Sequence, residues 1–179
     1  MLWTSYIPLV FHVDYWNYLG WKDPYSQTAY SQRQRAYKQQ GFINSVYTPG
    51  FIVNGDEWRG WFKQKKFTGT LKKPGVLSAN LDGLTLSANY KSDKPLILNV
   101  ALLGFDLHTQ VKSGENKGRD FTEDFIVLEL ISEYSNNGQW SLKIKDFASL
   151  KAERYALAIW VNDIKNLFPI QATGGWIKN

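Results

Sequence analysis

The chain contains no cysteine. That excludes disulfides, thiolate metal sites and any redox or nucleophilic mechanism that runs through a thiolate. Histidine is almost as scarce. His12 and His108 are the only two, too few for a histidine-rich metal cluster, and no catalytic constellation or cofactor motif accompanies them. Neither a metal nor a cofactor is expected, and the chain as written does not read as an enzyme. Long apolar runs are missing too, since none approaches the roughly 20 residues that a membrane-spanning helix needs. The opening stretch MLWTSYIPLVF lacks a basic segment and a small-residue cleavage site, so no signal peptide is expected. The location is then cytoplasmic as written, or periplasmic or secreted if the native protein begins upstream.

Aromatic residues are abundant: 8 Trp, 10 Tyr and 10 Phe among 179 residues, with only 21% charged. This composition fits a packed globular protein rather than a disordered one. The length allows one domain or two small ones. Net charge is +5 but uneven, because residues 1–73 hold 10 basic and 4 acidic side chains whereas the remainder holds 11 and 12. Lys63, Lys65, Lys66, Lys72 and Lys73 can attract phosphates or anionic lipid by charge alone. The plainer reading of the run is a solvated helix end and linker. No recognition helix or base-stacking motif is present, so nucleic acid is not expected as a partner.

Hydropathy patterning divides the chain in two. Ile7–Val13 is short, apolar and branched, as in a strand buried on both faces of a parallel sheet. Asp14–Trp21 is an aromatic loop. Asp23-Pro24 reads as a helix start, with the helix running to about Gln40 and Gly41 as its stop. Phe51–Val53 reads as a strand, Asn54-Gly55 as a two-residue hairpin turn, and Asp56–Arg59 as the returning strand. A short helix is expected over 60–67 and a linker over 68–75. Beyond it, eight apolar or alternating runs begin at Val76, Leu84, Leu96, Leu107, Phe125, Trp140, Tyr155 and Phe168. The turn residues Asp82-Gly83, Ser92-Asp93, Ser113-Gly114, Asn136-Asn137-Gly138 and Gly174-Gly175 separate strands of this kind, the pattern of an antiparallel β-sandwich. The expected class is α+β in two domains, a small α/β domain over 1–70 and the sandwich over 75–179.

Two motifs carry a resemblance. A strand, a helix and then Thr48-Pro49 opening a hairpin resembles the second half of a thioredoxin-like fold, whose signature is a cis proline before a sheet strand. The stretches PLVFHVDYWNYLGWKDPYSQTAYSQRQRAY, SVYTPGFIVNG and VKSGENKGRDFTEDFIV, in that order, resemble the bacterial thioredoxin-like family of unknown function numbered 1223. Members of that family are often described as secreted or periplasmic. The resemblance implies that the loop at Thr48-Pro49 presents backbone to an extended substrate. It also implies a first strand and a CxxC segment upstream of the equivalent of Ile7, and this chain has neither. Loss of a central strand leaves unpaired backbone on both neighbours, at about 1–3 kcal/mol for each buried group. Three remedies are open: direct pairing of the two remaining strands, strand addition from another segment or a second copy of the chain, or a native start upstream of Met1.

Candidate site residues follow from these motifs. His12 and Asp14 lie two apart on a strand end and share a face, as a His–carboxylate pair, a general base, or a hydrogen-bonded pair that orients the aromatic loop. Tyr15 and Trp16, with Tyr18 and Trp21, form either a surface for peptide or sugar or packing between sheet and helix. Tyr47, Thr48 and Pro49 line the expected cleft. In the second domain Glu115, Asn116 and Arg119 lie in a polar, glycine-rich loop that suits an anion, an interdomain contact or a plain turn. Asp120, Glu123 and Asp124 lack calcium-loop spacing and read as solvated turn charge. Three functions compete: a non-redox binding module for an extended peptide or protein, an inert fragment of a longer CxxC thiol–disulfide oxidoreductase, and a carbohydrate- or surface-binding β-sandwich protein.

Overall fold

The computed structural model describes residues 2–63, 65, 66, 75–113, 116–147, 150 and 152–178. The expected linker over 68–75 lies outside them except for Gly75, as do Gln64 and Phe67 of the expected 60–67 helix, which among the described residues is a 3-10 turn over Gly60–Lys63. The class is mixed, with mostly antiparallel sheets and one α-helix among the described residues.

The organising pair is β5 (Leu96–Phe105) and β10 (Arg154–Asp163), ten residues each and antiparallel along their full length. Both read as almost continuous apolar runs, and the structure gives the reason. Leu96, Leu98, Val100 and Leu102 of β5 and Tyr155, Leu157, Ile159 and Val161 of β10 face one core cluster. The alternate residues Ala101, Leu103, Phe105, Ala156, Ala158 and Trp160 face a second cluster on the opposite side. A strand covered on both faces has no polar side to show. β11 (Pro169–Trp176) and β8 (Ile126–Ser135) flank the pair, giving the order β11-β10-β5-β8. A second sheet of β3 (Leu77–Asp82), β4 (Thr85–Tyr90) and β9 (Gln139–Lys143) contributes Leu77, Leu86, Ala88, Tyr90 and Trp140 to the first cluster. A two-stranded ribbon of β6 (Leu107–Gln110) and β7 (Asp120–Glu123) stands apart from both.

Between the central strands, Asn99 Nδ2 donates to Asn162 Oδ1 at 2.5 Å and Ser132 Oγ donates to Asn99 Oδ1 at 2.9 Å. Asn162 Nδ2 in turn donates to the carbonyls of Asp163 and Asn166, at 2.8 Å each. Two buried amides are thereby satisfied inside an otherwise apolar sheet.

The N-terminal part lies on the second cluster. Trp3, Ile7, Leu9 and Phe11 pack there with Tyr30 of the helix α1 (Thr28–Gln39). The small side chains Ala101, Ala156 and Ala158 leave room for these rings. Ile7–Val13 does not form the expected strand. Its ladder contact is an isolated parallel bridge from Val10 to Ile126, with Val10 N–H donating to Phe125 O and Val127 N–H donating to Val10 O. It therefore does not pair with the Phe51 hairpin, and the apolar pattern of Ile7–Val13 reflects a strap packed on a sheet rather than a strand within one.

The docking of α1 has a specific cause. The β5–β8 register shifts between Leu102 and Leu103, pairing Leu102 with Glu129 and Leu103 with Val127. The shift leaves Leu128 as the extra residue of a bulge. Two α1-end side chains reach that point: Tyr30 hydroxyl donates to Val127 O at 3.1 Å, and Gln27 Nε2 donates to Leu128 O at 3.2 Å.

Other local expectations meet mixed outcomes. The helix begins at Thr28, not after Asp23-Pro24, and its N-cap Gln27 makes no side-chain cap bond. Asp23 instead closes a turn through Tyr25 N–H and gives its other oxygen to His12. Gly41, at φ 79°, follows the helix end as expected. β1 (Ile52–Val53) and β2 (Asp56–Glu57) form the hairpin around Asn54-Gly55. Gly55 (φ +96°) has no room for a side chain, because a Cβ there would lie 2.7 Å from the Phe168 ring. Gly174-Gly175 is not a turn. Both lie within β11, where a Cβ on Gly174 would come within 2.7 Å of Leu157 O and 2.9 Å of the Trp3 ring.

Candidate functional site

Two polar groups and an aromatic turn gather the candidate residues. The first group surrounds the β1–β2 hairpin. Gln34, on α1, bridges two of the candidates: Tyr15 hydroxyl donates to its Oε1 at 3.2 Å, and its Nε2 donates to Tyr47 O at 2.6 Å. Tyr47 hydroxyl donates to Glu57 Oε1 at 2.9 Å, where Arg59 also pairs at 3.0 Å. Asn44 gives its backbone N–H and its Nδ2 to the other oxygen, at 3.3 and 3.0 Å. The Glu57 side chain is only 8% exposed. Burial alone would raise its pKa, but the bonds from Arg59, Tyr47 and Asn44 outweigh that and hold it below the usual glutamate value. Burial, and then the Glu57 carboxylate, push the Tyr47 phenol upward. The guanidinium of Arg59 lies 5.4 Å from the centre of the Tyr47 ring, a cation–π contact.

Beside this network is a shallow recess open to solvent, lined by Gln34, Ile43, Tyr47, Phe51, Ile52 and Glu57. The stretch 48–52, including the candidates Thr48 and Pro49, is exposed throughout. The Thr48–Pro49 peptide is cis.

The second group is built on His12, whose side chain is 14% exposed. Its carboxylate partner is Asp23, not Asp14: the Nδ1–Oδ2 distance is 2.5 Å, and Nε2 lies 3.6 Å from Glu123 Oε1. Burial works against a charged imidazole here. The hydrogen bond and charge of Asp23, and the charge of Glu123, outweigh it and raise the His12 pKa above 6.5. Asp14 serves the helix. It accepts hydrogen bonds from Ser31 Oγ and Thr28 Oγ1, and these hold its pKa below the ordinary aspartate value. The contacts of His12 are with Asp23, Tyr25 and Glu123, so the expected grouping of His12 and Asp14 beside Pro49 is not formed.

Trp16 stacks on Tyr18 (ring centres 6.4 Å apart), and Tyr15 packs against Trp16. Trp16 and Tyr18 are exposed, so these two rings do not fill the space between sheet and helix. In the later loop, Glu115 lies outside the described residues. Asn116 accepts from Arg119 N–H through its carbonyl, and both residues are exposed. Among the described residues, no group of three or more His, Asp and Glu side chains is placed to hold a metal ion.

Sequence reasoning did not single out Gln34, Asn44, Glu57, Arg59 or Asp23 as site residues. A carboxylate two residues beyond an Asn-Gly turn was the available sign for Glu57. Asp23 next to Pro24 reads as a helix cap, and nothing in the chain pattern points from it to His12.

Two stacked antiparallel sheets covered by a helix, a strap and a hairpin, with a polar recess at the hairpin, define a β-rich mixed protein with an open surface site. Residues 4–162 match the profile of the family described as "Protein of unknown function (DUF1223)", and the chain belongs to that family. No curated protein matches it. An X-ray structure of an Agrobacterium tumefaciens protein, determined in a structural genomics programme, is similar in fold, with a TM-score of 0.63 and 21% identity over 94% of this chain and 78% of that one. None of the helices among the described residues is long and apolar enough to cross a membrane.

Proposed function

We propose that this chain is a non-catalytic binding module that takes an extended peptide along residues 48–52, with one peptide side chain entering the recess beside Tyr47. The observation that carries the proposal is the run of five consecutive exposed residues leading into β1, a strand with a single partner in its sheet. An exposed strand edge is a template for strand addition, in which backbone bonds supply affinity and pockets supply specificity. Within the recess, Glu57 is already neutralised by Arg59 and filled by Tyr47 and Asn44. The Gln34 amide is likewise committed to Tyr15 and Tyr47, so what the recess offers is the apolar lining of Ile43, Phe51 and Ile52, which suits an uncharged side chain. The resemblance of 1–70 to a thioredoxin-like domain, whose proline loop presents backbone to an extended substrate, supports the same reading. In that reading 75–179 is a separate sandwich domain that braces it.

Fluorescence anisotropy against a degenerate library of labelled, unstructured peptides tests this. Binders are expected, and Phe51→Ser weakens them roughly tenfold, about 1.4 kcal/mol. A library without binders, or binders indifferent to Phe51→Ser, sinks the proposal.

A further inference from the structure

The sequence reads the aromatic turn as either a binding surface or core packing, and the recess does not use its most exposed members. Trp16, Tyr18 and Leu19 are 48%, 76% and 56% exposed. They belong to one 3-10 turn with its flanking residue. Three large apolar side chains standing together at a surface call for an explanation, whereas single ones do not. The turn is held rigidly. Asn17 Nδ2 donates to Ser26 Oγ at 2.9 Å, and Asn17 Oδ1 accepts from Asp23 N–H at 3.2 Å. Asp23 is in turn fixed by His12. The side chains are therefore presented by a built loop and not by a loose end.

Basic side chains flank them. Lys22, three residues beyond the turn, is exposed. Ser113 hydroxyl donates to the carbonyl of Gly20, which brings the loop between β6 and β7 against the turn. That loop is closed on itself by Val111 N–H to Arg119 O, Gly118 N–H to Val111 O and Arg119 N–H to Asn116 O. Lys112, Lys117 and Arg119 on it are all exposed. None of these four cations has an ion-pair partner among the described residues. Against them the loop sequence sets Glu115 and Asp120, whereas the carboxylates beside the turn are already engaged, Asp14 by Thr28 and Ser31 and Asp23 and Glu123 by His12.

We propose that this end of the molecule docks on an anionic lipid bilayer, with Trp16, Tyr18 and Leu19 entering the headgroup region and Lys22, Lys112, Lys117 and Arg119 facing the lipid phosphates. Tryptophan and tyrosine favour the headgroup level because one end of each ring is apolar and the other polar. Basic side chains beside them add attraction to an anionic surface. A sugar site would need polar groups free to bond hydroxyls. The one amide in the turn, Asn17, is already committed to Ser26 and Asp23. The charge of the surface also favours phosphate over a neutral glycan. Docking of this kind is peripheral and reversible, and needs no membrane-spanning segment.

The test is co-sedimentation of the full chain with vesicles of phosphatidylcholine alone or of phosphatidylcholine mixed with phosphatidylglycerol. Binding to the mixed vesicles alone, falling as salt is raised, is the expected result. Each of Lys112→Ala and Lys117→Ala is expected to weaken it roughly fivefold, from about 1 kcal/mol per basic residue at an anionic surface. The double substitution Trp16→Ser/Leu19→Ser weakens it tenfold or more. All four positions are exposed, and unchanged thermal midpoints show that the variants still fold. No sedimentation with the mixed vesicles, equal sedimentation with both kinds, or binding that ignores the Trp16/Leu19 change overturns the proposal. Tight binding of soluble heparin that depends on Trp16 also overturns it, in favour of an anionic polysaccharide.

Discussion

The substitution Tyr30→Phe isolates the bond that docks the helix on the sheet. Tyr30 is 2% exposed, and its ring meets Phe11 edge-on with centroids 5.1 Å apart. Phenylalanine keeps that ring packing and removes only the hydroxyl. The hydroxyl donates to Val127 O at 3.1 Å and accepts from Gln27 Nε2 at 2.9 Å. Gln27 keeps its second acceptor, Leu128 O, so its amide is not orphaned. Val127 is fully buried beside the bulge, and its carbonyl loses this donor. A buried acceptor left without its partner costs roughly 1–3 kcal/mol. For a chain of this size 1 kcal/mol moves the melting midpoint by roughly 2–4 °C. Taking about 2 kcal/mol, the midpoint falls by about 4–8 °C. Urea unfolding of wild type and Tyr30→Phe, followed by circular dichroism, measures this directly. Tyr18→Phe is the control, because Tyr18 is 76% exposed; it is expected to stay within roughly 0.5 kcal/mol of wild type. If Tyr30→Phe also stays within that margin, the bulge carbonyl is not what anchors α1 and the docking argument fails.

Other expectations can be checked in the same assay. Gly138→Ala places a Cβ 1.9 Å from Tyr90 O at a backbone φ of +69°. A loss of about 2–4 kcal/mol is expected from the strained conformation and the forced shift together, and a neutral result would contradict the turn geometry. His12→Gln tests the pH dependence of stability. The His12 pKa is raised on folding, so its contribution is fully present below 6.5 and disappears as pH rises through the folded-state value. The gap between wild type and variant is therefore widest in mild acid and narrows above neutrality; a gap that widens with pH would reverse the assignment of Asp23 and Glu123 as its partners. Asn162→Leu orphans the buried Asn99 amide and costs about 1–3 kcal/mol. Adding Asn99→Leu should recover part of that loss, and strict additivity would show that the two amides do not act as a pair.

Much of the architecture is written in short-range pattern. The strands from Leu77 to Asp82, Thr85 to Tyr90 and Gln139 to Lys143 follow from alternation between turn residues, and Asn54-Gly55 fixes its hairpin because it needs backbone that few other pairs adopt. The family, too, was legible, from three motif stretches in order. β7 was not: Asp120–Glu123 has the composition of a turn, and only pairing with β6 makes it a strand. Nor was the position of Ile7–Val13, since apolarity records burial without saying against what. The partner of His12 is not legible either, because sequence spacing suggests Asp14, two residues away, whereas the chain folds back to bring Asp23 to 2.5 Å. Local sequence therefore set which segments extend, turn or coil, because φ/ψ preference and side-chain period act over a few residues. Tertiary packing alone decided which sheet the N-terminal strap lies on, which carboxylate holds the histidine and which carbonyls receive the helix, because each depends on surfaces that meet only after the strands at Leu96–Phe105 and Arg154–Asp163 have paired.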